Sequence, residues 1–342
     1  MKAFLVKKPG DYGLTEVSIP EVLDDEVLVR VGAAAICHSD LDILQGRRTH
    51  KIDLPNIIGH EFAGTIEACG KSVAGLDPGD TVTCECMIWC GSCRPCSMGK
   101  FAECDNFSEL GTMRSGAFAE YVAVPARLVH KFDNIPMEWA AISECAGNSL
   151  KAVELSSIFP GDNVVVIGPG PIGLFAVQLA RLKAPERVIC VGTRDERLIC
   201  AKRMGATDVF NINTQDACAE IMKLTGGKGA DAVIQCATTD SAFEMAVAVA
   251  GKGCRVVIEG LSSSGKSTPL DFDQFVIKPM QIIGANGANA PQMISVLHYM
   301  KYGLITPEAL ITHVLPLDEI NKGIRMLSEK TSGAVKVVIK PH

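Results

Sequence analysis

No stretch of this 342-residue chain approaches the roughly 18–20 uninterrupted apolar residues that a membrane-spanning helix needs. Positive charge is not in excess either. The 33 Lys+Arg stand against 39 Asp+Glu, a formal net charge of −6, which argues against a nucleic-acid binder that works by neutralising phosphates. Aromatic residues are scarce at 5%, so no cluster of them offers a wall for a bulky aromatic ligand. The opening MKAFLVKKPGDYG has one short apolar run and lacks both the h-region and the small-residue cleavage site of an export signal. The expectation is a soluble, cytoplasmic protein with neither membrane nor nucleic acid as partner. Hydrophobic and charged fractions of 47% and 21% are globular, and the length suits about two domains.

Cysteine, by contrast, is abundant at 14 residues. Cytosolic thiols stay reduced, so a disulfide scaffold is disfavoured, and metal binding or redox chemistry becomes the question that spacing has to answer.

The first part of the chain reads as all-β. Runs at 26–31 (EVLVRV), 63–68 (AGTIEA), 81–84 and 116–124 (GAFAEYVAV) alternate with turn signals such as Lys8-Pro9-Gly10 and Asp77-Pro78-Gly79-Asp80. Near residue 150 the rhythm changes to strands at 163–167, 187–191, 232–235, 255–258 and 281–284, with helices at 173–182, 197–204 and 241–250. That alternation specifies an α/β fold with a parallel sheet and right-handed crossovers. Beyond about 285 come a helix at 293–302 and a strand at 334–339 that could rejoin the first domain. The expected domains are therefore 1–150, 151–285 and a returning segment, 286–342.

Cys90, Cys93, Cys96 and Cys104 form C-x2-C-x2-C-x7-C. Two-residue gaps let thiolates converge on one tetrahedral ion, and four soft ligands without an open position describe a structural zinc site. An iron–sulfur cluster also uses C-x2-C-x2-C. Against it stand the absence of proline after the fourth cysteine and a second constellation of zinc type. That second set is Cys37, in Ala-Ile-Cys-His-Ser-Asp, with His60 and Glu61, in Gly-His-Glu-Phe-Ala-Gly. Each alone is unremarkable; together they are a mixed S, N, O set of the kind that holds catalytic zinc with one exchangeable position.

With CHSD at 37–40, GHEFAG at 59–64, the four-cysteine knot, GAFAEY at 116–121 and GPGPIG at 168–173, the chain resembles the zinc-dependent medium-chain alcohol dehydrogenase family over essentially its whole length. The resemblance is to its polyol, sorbitol and threonine dehydrogenase branch. It implies a GroES-like β-barrel catalytic domain plus a Rossmann doubly wound parallel-sheet coenzyme domain. It also implies one catalytic and one structural zinc per chain, an alcohol, polyol or ketone substrate, and a homodimer or homotetramer pairing through edge strands near 281–284. Cys37, His60 and Glu61 then correspond to catalytic zinc ligands. Ser39 falls where the family relays the alcohol proton, and Asp40 where a carboxylate holds a ligand histidine. Asp42 departs from the histidine that many relatives carry at the outer end of the relay. The fourth zinc position falls on Glu144 or Cys145. Glu144 is favoured, because a carboxylate facing a dry pocket is costly unless it coordinates, whereas a spare buried thiol costs little.

Residues 164–173 place a strand, a G-x-G-x-x-G turn (Gly168, Gly170, Gly173) and a helix start in the order a dinucleotide fold requires, with Pro171 and Ile172 opening the helix. An NAD site places an acid at the end of the next strand. Here that strand ends Val191-Gly192-Thr193-Arg194, similar to the Gly-Ser-Arg of NADP-dependent relatives. Thr193 and Arg194 can hold a 2′-phosphate, which favours NADP; Asp195 and Glu196 follow directly and leave NAD as the alternative. The competing functions are a simple alcohol or L-threonine dehydrogenase, a zinc-free quinone or enone reductase, and a non-catalytic binding protein on the same fold.

Overall fold

The computed structural model describes residues 1–47, 51–261, 267–329 and 333–342. It divides into two compact units, Met1–Gly147 with Gly287–His342, and Asn148–Asn286.

In the first unit a largely antiparallel seven-stranded sheet runs in the order Val129–Lys131, Thr81–Cys84, Glu61–Cys69, Glu26–Ala35, Lys336–Lys340, Ile311–Pro316, with Tyr121–Pro125 also paired to Glu26–Ala35. Lys2–Lys8, Asp11–Glu16 and Asn56–Ile57 form a smaller three-stranded sheet. The apolar side of these strands buries Phe4, Val29, Val31, Phe62, Ile66 and Phe118 in one core. Register matters most at one place. Ala35 lies opposite Glu61 on one side and Val338 on the other. Directly opposed residues share a face, as do residues two apart along a strand, so Glu61 and Lys336 are brought to the same side just before the chain reaches Cys37.

The second unit holds a six-stranded sheet ordered Asp208–Asn211, Arg187–Gly192, Asn163–Ile167, Ala230–Gln235, Ala250–Ile258, Gln281–Gly284, with every pair parallel. Its central strands, such as NVVVI, are continuously apolar because helices cover both faces. The order reverses between Asn163–Ile167 and Ala230–Gln235, the position where doubly wound sheets bind ligands.

The expected strand at 116–124 is corrected at its start: the continuous strand is Tyr121–Pro125, with Ala119 ahead of it in an isolated antiparallel bridge to Ala3. The amides of Gly116, Ala117 and Phe118 are taken instead by the carbonyls of Ile57, Gly59 and Ile58, at 2.7, 2.9 and 3.0 Å. Those bonds brace the turn that delivers His60. The turn after Cys37 is in fact a short helix, His38–Leu44, and Ser143–Leu155 forms a thirteen-residue helix through Glu144 and Cys145.

Candidate functional site

Cys37 sits where the strand Glu26–Ala35 gives way to the helix His38–Leu44. Its backbone is extended, as an N-cap requires, and its N–H donates to Asp40 Oδ2 at 2.8 Å. His60 follows Gly59, whose φ of +97° and 2.8 Å approach to the Phe118 ring leave no room for a side chain. Glu61 starts the next strand. Fold and register thus bring Cys37 Sγ, a His60 ring nitrogen and a Glu61 carboxylate oxygen within 4.8 Å of one another.

The surroundings fit a cation. His60 and Glu61 are buried, and His60 Nδ1, Glu61 Oε2, Asp40 Oδ1 and Ser39 Oγ are buried without a hydrogen-bond partner among the described residues. Each such orphan costs about 1–3 kcal/mol. Four of them around one S, N, O donor set are groups that a metal ion held there would help to satisfy. His60 Nδ1 lies 3.9 Å from Asp40 Oδ1, beyond hydrogen-bond reach, so in this structure Asp40 orders Cys37 rather than His60.

Two cationic features accompany the cluster. Burial opposes a charge on His60, but the adjoining Cys37 sulfur, with Asp40 and Glu144, outweighs it and holds the imidazole well above its ordinary range. The metal-free imidazole thus holds its proton more tightly than a free one, and an incoming ion competes with that proton. Zinc affinity is expected to fall as pH is lowered from about 8 to 6, with proton release on binding, measurable by calorimetry in buffers of different ionisation enthalpy. Equal affinity across that range would refute the expectation. The second feature is Lys336, 2% exposed, whose Nζ donates to Glu61 Oε1 at 2.5 Å. Burial works against the ammonium, but Glu61 foremost, then Cys145 and Cys37, more than offset it and raise its pKa.

Glu144 and Cys145, in the first turn of their helix, are buried near the cluster but do not belong to it. Glu144 Oε1 accepts from the Cys86 thiol at 3.1 Å, and burial pushes the Cys145 thiol well up. Asp42 is engaged by Arg47 at 2.7 Å.

The four cysteines of the knot also converge, their sulfurs all within 4.8 Å of one another. A tetrahedron with Zn–S bonds of about 2.3 Å sets its sulfurs about 3.8 Å apart. Cys93 Sγ and Cys104 Sγ are separated by 3.9 Å, a spacing for a single ion with no cluster interposed. The Cys90 N–H points to Cys104 Sγ at 3.3 Å. Hydrogen bonds from Ser92 and the Cys93 amide pull the Cys90 thiol down to about 5, while burial pushes Cys96 up to about 12.

In the second unit, Gly168 has a φ of +99°, and a Cβ on Gly173 would lie 2.1 Å from Gly168 O, so both must be glycine. Gly170 N-caps the helix Pro171–Arg181, and a Cβ there would meet only Arg197 Nη1, at 3.9 Å. The first-turn amides of that helix, Ile172 and Gly173 included, present the positive end of an eleven-residue dipole. Thr193 and Arg194 lie just past the neighbouring strand, Arg194 capping the helix Asp195–Arg203. Burial lowers Arg194, and burial, with repulsion from Arg194, lowers Arg197 to about 10. Asp195 accepts from Asn211 Nδ2 at 2.7 Å, and Glu196 acts on Arg194 against the effect of burial.

Lys336, Cys86, Arg197 and Asn211 were not among the residues singled out from sequence. A lysine inside the apolar run AVKVVI was the one available signal.

Comparison with known proteins agrees with this geometry. Residues 23–136 match a family profile described as alcohol dehydrogenase GroES-like domain, and residues 171–301 one described as zinc-binding dehydrogenase. The chain is 36% identical to the L-threonine 3-dehydrogenase of Bacillus subtilis and 34% identical to that of Bacillus velezensis, in each case over 100% of this chain and 99% of the relative. Among solved structures it is similar to a zinc-binding dehydrogenase from Sinorhizobium meliloti bound to NADP, with a TM-score of 0.92, 29% identity and 99% of both chains covered. It is also similar to galactitol-1-phosphate dehydrogenase from Escherichia coli, with a TM-score of 0.92, 27% identity and 100% of both chains covered.

Proposed function

The chain belongs to the zinc-dependent medium-chain alcohol dehydrogenase family, an enzyme class acting on CH–OH groups with NAD(P), and from that premise we propose that it oxidises a secondary alcohol of a polyol or sugar, preferring NADP. The observation that carries the reading is the convergence of Cys37, His60 and Glu61 amid buried, unsatisfied polar atoms. We assign metal chemistry to the first unit and coenzyme binding to the second.

When bound, zinc acidifies a hydroxyl set beside it, and the nicotinamide accepts the hydride that leaves the alcohol carbon. Cys37, His60 and Glu61 would hold the catalytic ion, and Cys90, Cys93, Cys96 and Cys104 the structural one. Ser39 Oγ, buried beside Cys37, would relay the substrate proton, accepting it while its own hydroxyl proton passes on toward solvent. Asp40 fixes Cys37 through its amide, and Lys336 balances Glu61 whenever that carboxylate is off the metal. Glu144, in preference to Cys145, would be the further residue turned toward the ion. The Gly168–Gly173 loop seats the pyrophosphate, with Thr193 and Arg194 toward the 2′-phosphate.

A second reading, L-threonine as substrate, is favoured by the full-length similarity to L-threonine 3-dehydrogenases. Initial rates with L-threonine, simple secondary alcohols and a series of polyols, each with NADP and NAD, decide between them. The polyol reading expects the highest kcat/KM with a polyol and NADP; a preference for L-threonine, or about tenfold better kcat/KM with NAD, would reject the corresponding part.

The assembly proposed is a homodimer or homotetramer. Gln281–Gly284 is the last strand of its sheet, and the neighbouring Phe272 and Val276 are 81% and 80% exposed, a surface suited to a second copy. Fourteen free thiols support a reducing, cytoplasmic setting.

A further inference from the structure

Gly192 ends the strand on which an NAD-dependent enzyme carries its ribose-binding acid, and the structure gives a steric reason why no acid stands there. The Gly168 amide donates to Val191 O at 2.8 Å, which draws the loop against the strand end. As a result, a Cβ on Gly192 would lie 2.5 Å from both Cδ and Cγ of Pro169, with Leu198 Cδ2 at 3.5 Å behind. Cβ atoms are essentially never found closer than 3.0 Å to such neighbours. A long side chain could swing aside, but the proline ring is closed onto its own backbone nitrogen and has no rotamer to leave by.

We propose that Pro169 is a specificity-determining residue: its ring reserves position 192 for glycine, bars a ribose-binding carboxylate, and so leaves the pocket to the cations of Arg194 and Arg197. The inference rests on the coenzyme reading above and adds a cause to it. Exclusion of the acid and retention of positive charge are separate features of the site. Pro169 supplies the first. Asp195, the acid next to Arg194, has one carboxylate oxygen engaged by Asn211 Nδ2 at 2.7 Å. Arg197 faces the same loop, its Nη1 being the one atom within 4 Å of a Cβ built on Gly170.

The test is a mutant cycle of Gly192→Asp, Pro169→Ala and the double variant. NADPH and NADH dissociation constants are read from coenzyme fluorescence, and thermal midpoints and kcat/KM are read alongside. Gly192→Asp alone is expected to lower the midpoint and to weaken both coenzymes. In the double variant stability should return, and the NADH:NADPH affinity ratio should rise by about 30-fold over Gly192→Asp alone, a non-additivity typical of directly touching residues. A Gly192→Asp protein as stable as the parent, with the same NADH:NADPH ratio as the double variant, would overturn the proposal. Should Gly192→Asp fail to fold, recovery of folding in the double variant supports the block, and failure of both variants contradicts it. A parent enzyme that binds NADH more tightly than NADPH would refute the coenzyme reading separately, since the cycle judges the steric block whichever coenzyme is preferred.

Discussion

Replacing Cys37 with serine is expected to leave a folded chain that holds one zinc ion and has lost about 10³-fold in kcat or more, the several kcal/mol a metal contributes as Lewis acid. Cys37 is the one sulfur donor in its cluster, and a serine hydroxyl neither ionises nor matches zinc as a soft ligand. The remaining donors are also weakened. His60 holds its proton more tightly than a free imidazole in the metal-free site, and Glu61 has Lys336 as a competing partner at 2.5 Å. The fold should tolerate the change, because Cys37 is only half-buried and serine is a favourable residue for the N-cap position it occupies. Metal content by mass spectrometry, the thermal midpoint and turnover separate these effects. A Cys37→Ser protein with two ions per chain and more than about a tenth of parental turnover would show that the cluster is not the catalytic metal site. Cys93→Ser is the matching control in the knot. It should release the other ion and act mainly on stability, since a closed four-sulfur site has no position for substrate.

Lys336→Met should be the most destabilising conservative change in the first unit. The ammonium is 2% exposed and Glu61 1%, so removing the cation strands a carboxylate in the interior; breaking one side of a buried pair typically costs about 3–5 kcal/mol. Methionine fills nearly the same volume, so little of that loss would be a packing defect. Metal loading should recover part of it, because Glu61 then has an ion to face. Urea unfolding of metal-free and zinc-loaded protein measures both figures. The sign of the pH dependence is fixed as well. The folded-state pKa of Lys336 is raised, so the stabilisation is fully present below the ordinary lysine value and is lost only as pH climbs through the folded-state value. Neutral-pH comparisons therefore read the intact pair. A metal-free variant within about 0.5 kcal/mol of the parent would mean that Glu61 finds another partner.

The site's chemistry was largely legible before its geometry, and the reason is local. Cys37, His60, Glu61 and the four knot cysteines are residue types that seldom occur together for structural reasons, and the knot cysteines and the His60–Glu61 pair also stand at short spacings. The glycines of the coenzyme loop belong to the same class. Position 168 demands a positive φ and position 173 a close backbone approach, constraints that only glycine meets. What escaped the sequence depends on register between distant segments. Lys336 reaches Glu61 across 275 residues, through pairings on both sides of one strand. Cys86 meets Glu144 across 58 residues, from a loop to the first turn of a helix. Periodicity was right for Tyr121–Val124 but misread 116–118, where alternation suits a strand and the amides go to the His60 turn. The helix through Glu144 was not anticipated, its polar and apolar residues giving no clear amphipathic stripe before the fold supplied partners on several sides. Pro169 is the reverse case. The residue was in plain view within GPGPIG, and only the 2.5 Å approach to Gly192 gave it a role.

Zinc titration into the metal-free chain, with nicotinamide reduction followed at each step on the best alcohol of the panel, tests the central claim most directly. Two donor clusters are present, so the account expects turnover to be absent without metal, to rise only as the Cys37–His60–Glu61 cluster fills, and to level off near two ions per chain. Full turnover by the metal-free enzyme, or turnover complete with the four-cysteine knot alone occupied, would contradict it.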